Sequence, residues 1–231
     1  MIVLNRMNFI GVDTSSKCGS VALLFGGKII DQSESDSGES FSRSILDMLN
    51  RLLAANSVDL GDITGLGVAV GPGSFTGIRI GIATLQGLAL SKNLPIYGVS
   101  TLEAMARATV KNDATLKPMM DARNGDVYFA KFRYDGDKLV RLTADSAGPV
   151  EDAFNPDDNE SLCFGEGAEQ YSETIAARMG LYSKDAMNDC VAAGVARTAQ
   201  HRMAEGDLGH TTAIKPNYIR QGKVERVKPL I

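Results

Sequence analysis

Histidine is nearly missing from this chain, and with it the commonest side chain for metal and acid–base chemistry. Only His201 and His210 occur, and they do not fall at i, i+4, so no zinc-type His-x3-His pair forms. The Gly-x-Ser-x-Gly elbow of serine hydrolases is absent, and so is the Gly-x4-Gly-Lys-Ser/Thr phosphate loop. Cysteine is scarce: Cys18, Cys163 and Cys190 are odd in number, with no Cys-x-x-Cys. Free thiols in a reducing compartment are therefore expected. No run of about 18 apolar residues exists to span a bilayer, and Met1–Met7 is too short for a secretory h-region. The expectation is a cytoplasmic protein with no membrane partner. A net charge of −4 gives no sign of nucleic-acid or anionic-membrane binding. What remains is an ordinary soluble composition, 44% hydrophobic and 23% charged, over 231 residues, enough for one large domain or two small ones.

The most informative stretch runs from Gly65 to Leu90. Leu66, Val68 and Val70 alternate with small Gly67 and Ala69, which reads as a buried strand. Gly71-Pro72-Gly73 ends it, since proline lacks an N–H and glycine permits positive φ. Ser74 or Thr76 then caps a helix to about Leu90. Its Ile78, Ile80, Ile82, Leu85, Leu88 and Leu90 surround most of the cylinder, which predicts burial on more than one side. Gly77, Gly81 and Thr84 share one line and would let another backbone approach closely, from a second helix of this or another chain.

Around this stretch the pattern predicts strands at 9–12, 20–25 and 28–32. An amphipathic helix follows on Phe41, Ile45, Met48, Leu49, Leu52 and Leu53, with Leu46 off its stripe. A strand at 95–99 and a helix capped by Ser100, to about Val110, complete an α/β layout with a mixed sheet. The second half repeats the opening. A strand ending at Asp121, a strand at 126–134 and a strand at 138–142 match the unit that begins at Asp13, with Gly19 and Gly125 at the same step. Two related domains are expected, 1–110 and 111–231. Further helices are expected at about 169–179 and 189–205, with short strands at 162–164 and 218–220. The acidic loop Asp157–Glu160 and the mildly basic tail with Arg220, Lys223, Arg226 and Lys228 read as solvated.

A Gly-rich turn between strand and helix can hold an anion, because free N–H groups and the helix dipole point the same way. Asp13, Thr14 and Ser15 with Gly71 and Gly73 are accordingly candidate phosphate-facing loops. The competing reading of Asp13-Thr14-Ser15 is a turn bonded by its own side chains. At the matching Asp121, Ala122 and Arg123 replace the hydroxyl residues, so a two-sided nucleotide clamp would be damaged on one side. Arg79 reads as a salt-bridging residue of the helix face.

The run Gly71-Pro72-Gly73-Ser74-Phe75-Thr76-Gly77-Ile78-Arg79-Ile80-Gly81, with Ile10–Ser15 before it and Asp121–Ala130 after it, resembles the bacterial TsaB (YeaZ) family. Ile214–Arg220 is similar to that family's closing Pro-x-Tyr-Leu-Arg segment, whereas Glu39-Ser40-Phe41-Ser42 departs from a His-Ser-like run. The resemblance implies an ASKHA fold, the actin/Hsp70-like and ribonuclease-H-like pair of related α/β domains. It further implies a non-catalytic subunit that activates TsaD in placing threonylcarbamoyl on the adenosine beside the anticodon of tRNA. TsaE would join the complex, tRNA would be met indirectly, and the chain alone would form a homodimer. No cofactor is expected here, since ATP/ADP and metal belong to TsaD and TsaE, and no catalytic or metal-binding residue is expected. The implied partner interface comprises Phe41, Ile45, Leu46, Leu49, Leu52, Phe75, Gly77, Ile78, Gly81, Ile82, Thr84, Leu85 and Leu88. The rival readings are an M22-type glycopeptidase-like metalloprotease, an ASKHA nucleotide-binding kinase, and a self-associating chaperone-like protein.

Overall fold

The computed structural model describes residues 7–36, 41–109, 113–154, 161–177, 181–210 and 214–219, with the side chains of 41–43 outside that description. The first sheet is built from β1 (Phe9–Asp13), β2 (Ser20–Phe25), β3 (Lys28–Glu34), β4 (Gly65–Gly71) and β5 (Ile96–Ser100), in the order β3-β2-β1-β4-β5. β1 pairs antiparallel with β2, and β4 runs parallel to both β1 and β5. Alternation along the central strands sorts side chains by size. Ile10, Val12, Leu66 and Val68 face α1 (Phe41–Ala55) and α2 (Phe75–Lys92), where they meet Ile45, Leu49, Leu52, Ile78, Ile82 and Leu85 in one core.

On the opposite face the alternate positions are small, and this lets α6 (Val191–Ala204) lie directly on the sheet. A Cβ on Gly11 would strike the Ala192 carbonyl, and one on Gly67 would come within 2.8 Å of Val195. The helix is itself rich in alanine along that contact. It comes from the second half of the chain, so a cut after residue 110 separates the first sheet from a helix that covers it.

The second sheet contains β6 (Thr115–Arg123), β7 (Asp126–Phe129), β8 (Phe132–Asp135), β9 (Lys138–Arg141), β10 (Ser146–Pro149), β11 (Ser161–Phe164) and β12 (Leu181–Tyr182). Its path β10-β7-β6-β11-β12 reproduces that of the first sheet position for position, with β11 parallel to β6 and β12 parallel to β11. The expected strand at 126–134 is broken at Ala130–Lys131: β7 pairs with β6 and β10, while β8 meets β6 where Phe132 pairs with Leu116 and pairs along its length with β9. The place of β3 is therefore taken by β10, not by 138–142, and the β8–β9 hairpin is an addition to the repeat. α3 (Thr101–Arg107) sends Leu102, Met105 and Ala106 into the second core and crosses α6 so closely that a Cβ on Gly194 would strike the Ala104 carbonyl. α4 (Glu166–Gln170) and α5 (Ser172–Ala177) replace the single helix expected at 169–179. No strand forms at Tyr218–Ile219, and Arg220, the acidic loop at 157–160 and the basic tail lie outside the described residues. Among the described residues, no helix is long and apolar enough to cross a membrane.

Candidate functional site

Ser74 caps α2 as expected: its hydroxyl accepts the Gly77 N–H at 3.2 Å. The turn Asp13-Thr14-Ser15 is packed against this helix start. The Ser74 N–H donates to the Ser15 carbonyl at 2.7 Å, and the Thr14 hydroxyl donates to the Gly77 carbonyl at 2.7 Å. Gly73, at φ 146°, sits where a Cβ would run into Ser15, so only glycine suits both its backbone angle and its space. Asp13, Thr14 and Ser15 are all buried. Donors that a phosphate would need from Thr14 and Ser74 are thus engaged within the chain.

Asp13 is held by the Ser15 N–H, which donates to its Oδ1 at 3.0 Å. Burial pushes its carboxyl up to about 6, against the lowering effect of the Ser15 contacts, and Glu34 adds to the rise. The Ser15 hydroxyl also bears on this carboxylate and works against the rise. On the other half, the Arg123 N–H donates to Asp121 Oδ1 at 2.8 Å, the same side-chain-bonded turn. Glu166 is raised by burial, with Lys17 opposing and Asp121 reinforcing the shift.

The glycine line on α2 faces inward, which corrects its assignment to a partner interface. Cβ atoms on Gly77 and Gly81 would strike the Thr14 carbonyl and hydroxyl, so the backbone that approaches closely is this chain's own β1–β2 turn. Ile45, Leu49, Leu52, Ile78, Ile82 and Leu85 are likewise spent in the first core. Phe75 and Thr84 are half-buried, Leu88 packs partly against that core, and the side chain of Phe41 lies outside the described residues. Leu46, the residue off the α1 stripe, is 47% exposed. The outward side of α2 is carried by Ala83, Gly87 and Leu90, exposed around the half-buried Ile80 and Thr84. Open space surrounds Gly87. α2 therefore keeps an apolar, small-residue side outside its core stripe, displaced around the helix from the line read in the sequence, and α1 adds the exposed Leu46.

The histidines serve local structure. His201 Nε2 lies 3.3 Å from Glu205, and the His210 backbone exchanges hydrogen bonds with Ile96 at the β5 edge. Cys163 and Cys190 are buried and Cys18 half-buried, none in a disulfide among the described residues, and burial pushes the Cys190 thiol up to about 11. Among the described residues the expected salt bridge of Arg79 is not seen; its Nε donates to the Tyr218 hydroxyl at 2.8 Å. Missed in the sequence was Asp145, which accepts hydrogen bonds from Ser100, Arg141 and Asn217. Nothing in the spacing of those residues announces that meeting.

Two sheets of matching strand order, enclosing crossed helices α3 and α6, define a protein of the ASKHA class, an α/β fold with two related domains. A family model described as "TsaD: tRNA N6-adenosine threonylcarbamoyltransferase" matches residues 35–205, and the chain belongs to that family. Within it, the chain is similar to the tRNA threonylcarbamoyladenosine biosynthesis protein TsaB of Escherichia coli (strain K12), with 44% identity over 131 residues, 56% of each chain. The chain thus spans about half the length of this curated relative, 56%. A solved Pseudomonas aeruginosa protein described as uncharacterized, with similarity to peptidase YEAZ, superposes with a TM-score of 0.81 at 25% identity, covering 93% of this chain and all of the other. YeaZ from Pseudomonas aeruginosa superposes at 0.77 with 23% identity, over 92% and 99%, and shows the same fold. The TsaB (YeaZ) resemblance carried by the Gly71–Gly81 run stands.

Proposed function

We propose that this chain is a non-catalytic, activating subunit of tRNA threonylcarbamoyladenosine biosynthesis that binds and stabilises a TsaD-type transferase. The observation that carries this reading is the outward apolar side of α1 and α2, where Leu46, Ala83, Gly87 and Leu90 lie exposed beyond a core already filled from the inner side. A helix surface of small and apolar residues suits a second helix pair, which closes over it with backbones in near contact. A stable contact of this kind removes on the order of 1,600 Å² from water. In the absence of the partner, the same face pairs two copies of the chain.

In this reading the reacting groups, nucleotide and metal belong to the TsaD and TsaE components, tRNA is met through the complex, and the work is done in the cytoplasm. The engagement of Thr14 and Ser74 within the chain supports it over a kinase, which needs those groups free for phosphate. The split into a 1–110 and a 111–231 unit is retained as a description of the repeat, with α6 shared across it. The test is reconstitution: TsaD, TsaE and tRNA with and without this chain, assaying modified adenosine. Modification that proceeds equally without the chain, or turnover by the chain alone, overturns the proposal.

A further inference from the structure

Ile214–Ile219, the last described segment, crosses from one half of the molecule to the other. Ile214 is buried in the first core, while Ile219 packs against the second. Between them, the Asn217 N–H donates to the Val70 carbonyl at 2.7 Å, at the end of β4. Asn217 Nδ2 reaches Asp145 Oδ2 at 3.1 Å. Tyr218 stacks on Phe75 with ring centroids 4.5 Å apart and an interplanar angle of 14°, and its hydroxyl accepts Arg79 Nε at 2.8 Å. Phe75 and Arg79 are in the first two turns of α2.

Asp145 makes the far end of this segment more than a local contact. It also accepts the hydroxyl of Ser100 at 2.8 Å, and Ser100 is the N-cap of α3, holding the Glu103 N–H at 3.3 Å. Arg141 joins the same carboxylate to Glu103, with 3.2 Å to the latter. A continuous set of hydrogen bonds thus runs from the start of α2, through Tyr218 and Asn217, to the start of α3.

We propose that Ile214–Ile219 is a strap that couples the start of α2 to the α3 cap and the second half, so that the two helix starts loosen and tighten together. Tyr218 and Asn217 act as positioning residues. The outward side of α2 is the docking face proposed above, but the coupling does not depend on that assignment.

The experiment is amide-resolved hydrogen exchange by NMR on the full chain, reading the Ile78 and Glu103 amides, which are held by Ser74 and Ser100 at opposite ends of the strap. Tyr218→Ala perturbs only the α2 end directly, and Asn217→Ala removes only the side-chain tie to Asp145. The expected result is that each variant speeds exchange at the remote amide as well as the near one, by about tenfold, the factor that one lost hydrogen bond to a charged group corresponds to. Asn217 is exposed and Tyr218 is 37% exposed, and an unchanged amide spectrum away from the strap shows that each variant folds. Exchange that changes only at the near amide in each variant, or at neither, overturns the proposal.

Discussion

Replacing Asp13 by Asn isolates the consequence of burying a carboxyl that no cation faces among the described residues. In the folded chain its titration lies near 6, against an ordinary value of 3.8. A raised carboxyl binds its proton more tightly when folded. The resulting stabilisation is complete below the unfolded value and is lost as pH rises through about 6. The difference of roughly two units corresponds to about 3 kcal/mol of stability forfeited at neutral pH. Asn carries no charge and keeps an oxygen for the Ser15 N–H. At pH 7 the variant should therefore be more stable by up to about 3 kcal/mol, a Tm gain of roughly 6 to 12 °C for a chain of this length. At pH 4 the advantage should nearly vanish. Urea unfolding of both proteins at intervals from pH 4 to pH 8 measures this, and the difference cancels other titrating groups. A stability difference that is flat across this range, or an Asn variant weaker at pH 7, refutes the reasoning.

Other substitutions separate the inner from the outer side of α2. Gly77→Ala places a methyl against the Thr14 backbone carbonyl, which has no room to yield. It should lower stability by about 1–3 kcal/mol or more, measured as a drop in Tm. Gly87→Leu meets open space within the chain and replaces a poor helix former, so the monomer, at concentrations below self-association, should gain up to about 1 kcal/mol. The same variant should lose affinity for the TsaD-type partner in calorimetry, and unchanged affinity would remove Gly87 from the contact. Leu46→Asp should leave thermal unfolding within about 0.5 kcal/mol of the parent while weakening both self-association in sedimentation and partner binding.

Much of the architecture is legible in one dimension because alternation and helical spacing are local. The α1 stripe, the Ser74 and Ser100 caps, the strand ending at Asp13 and the internal repeat all follow from neighbours in the chain, whereas β6 runs past the expected end at Asp121 to Arg123. Helix periodicity marks a glycine line on α2 but cannot say what fills it, because the occupant, Thr14, is 63 residues away from Gly77 in sequence. The same limit applies to β10, which takes the place expected for 138–142, since strand order is decided by pairing across the sheet and not by distance along the chain.

By itself, the amino-acid sequence determined the α/β class, the duplicated unit and the absence of the familiar histidine-metal and serine-elbow patterns, since each depends on residue types at short spacing. Only the tertiary structure decided which side of α2 faces solvent, that α6 crosses back to the first sheet, and that Asn217 and Tyr218 join the two halves. Those outcomes depend on where distant backbones come to rest, and a substitution-sized gap, such as the one beside Gly77, exists only once they have met.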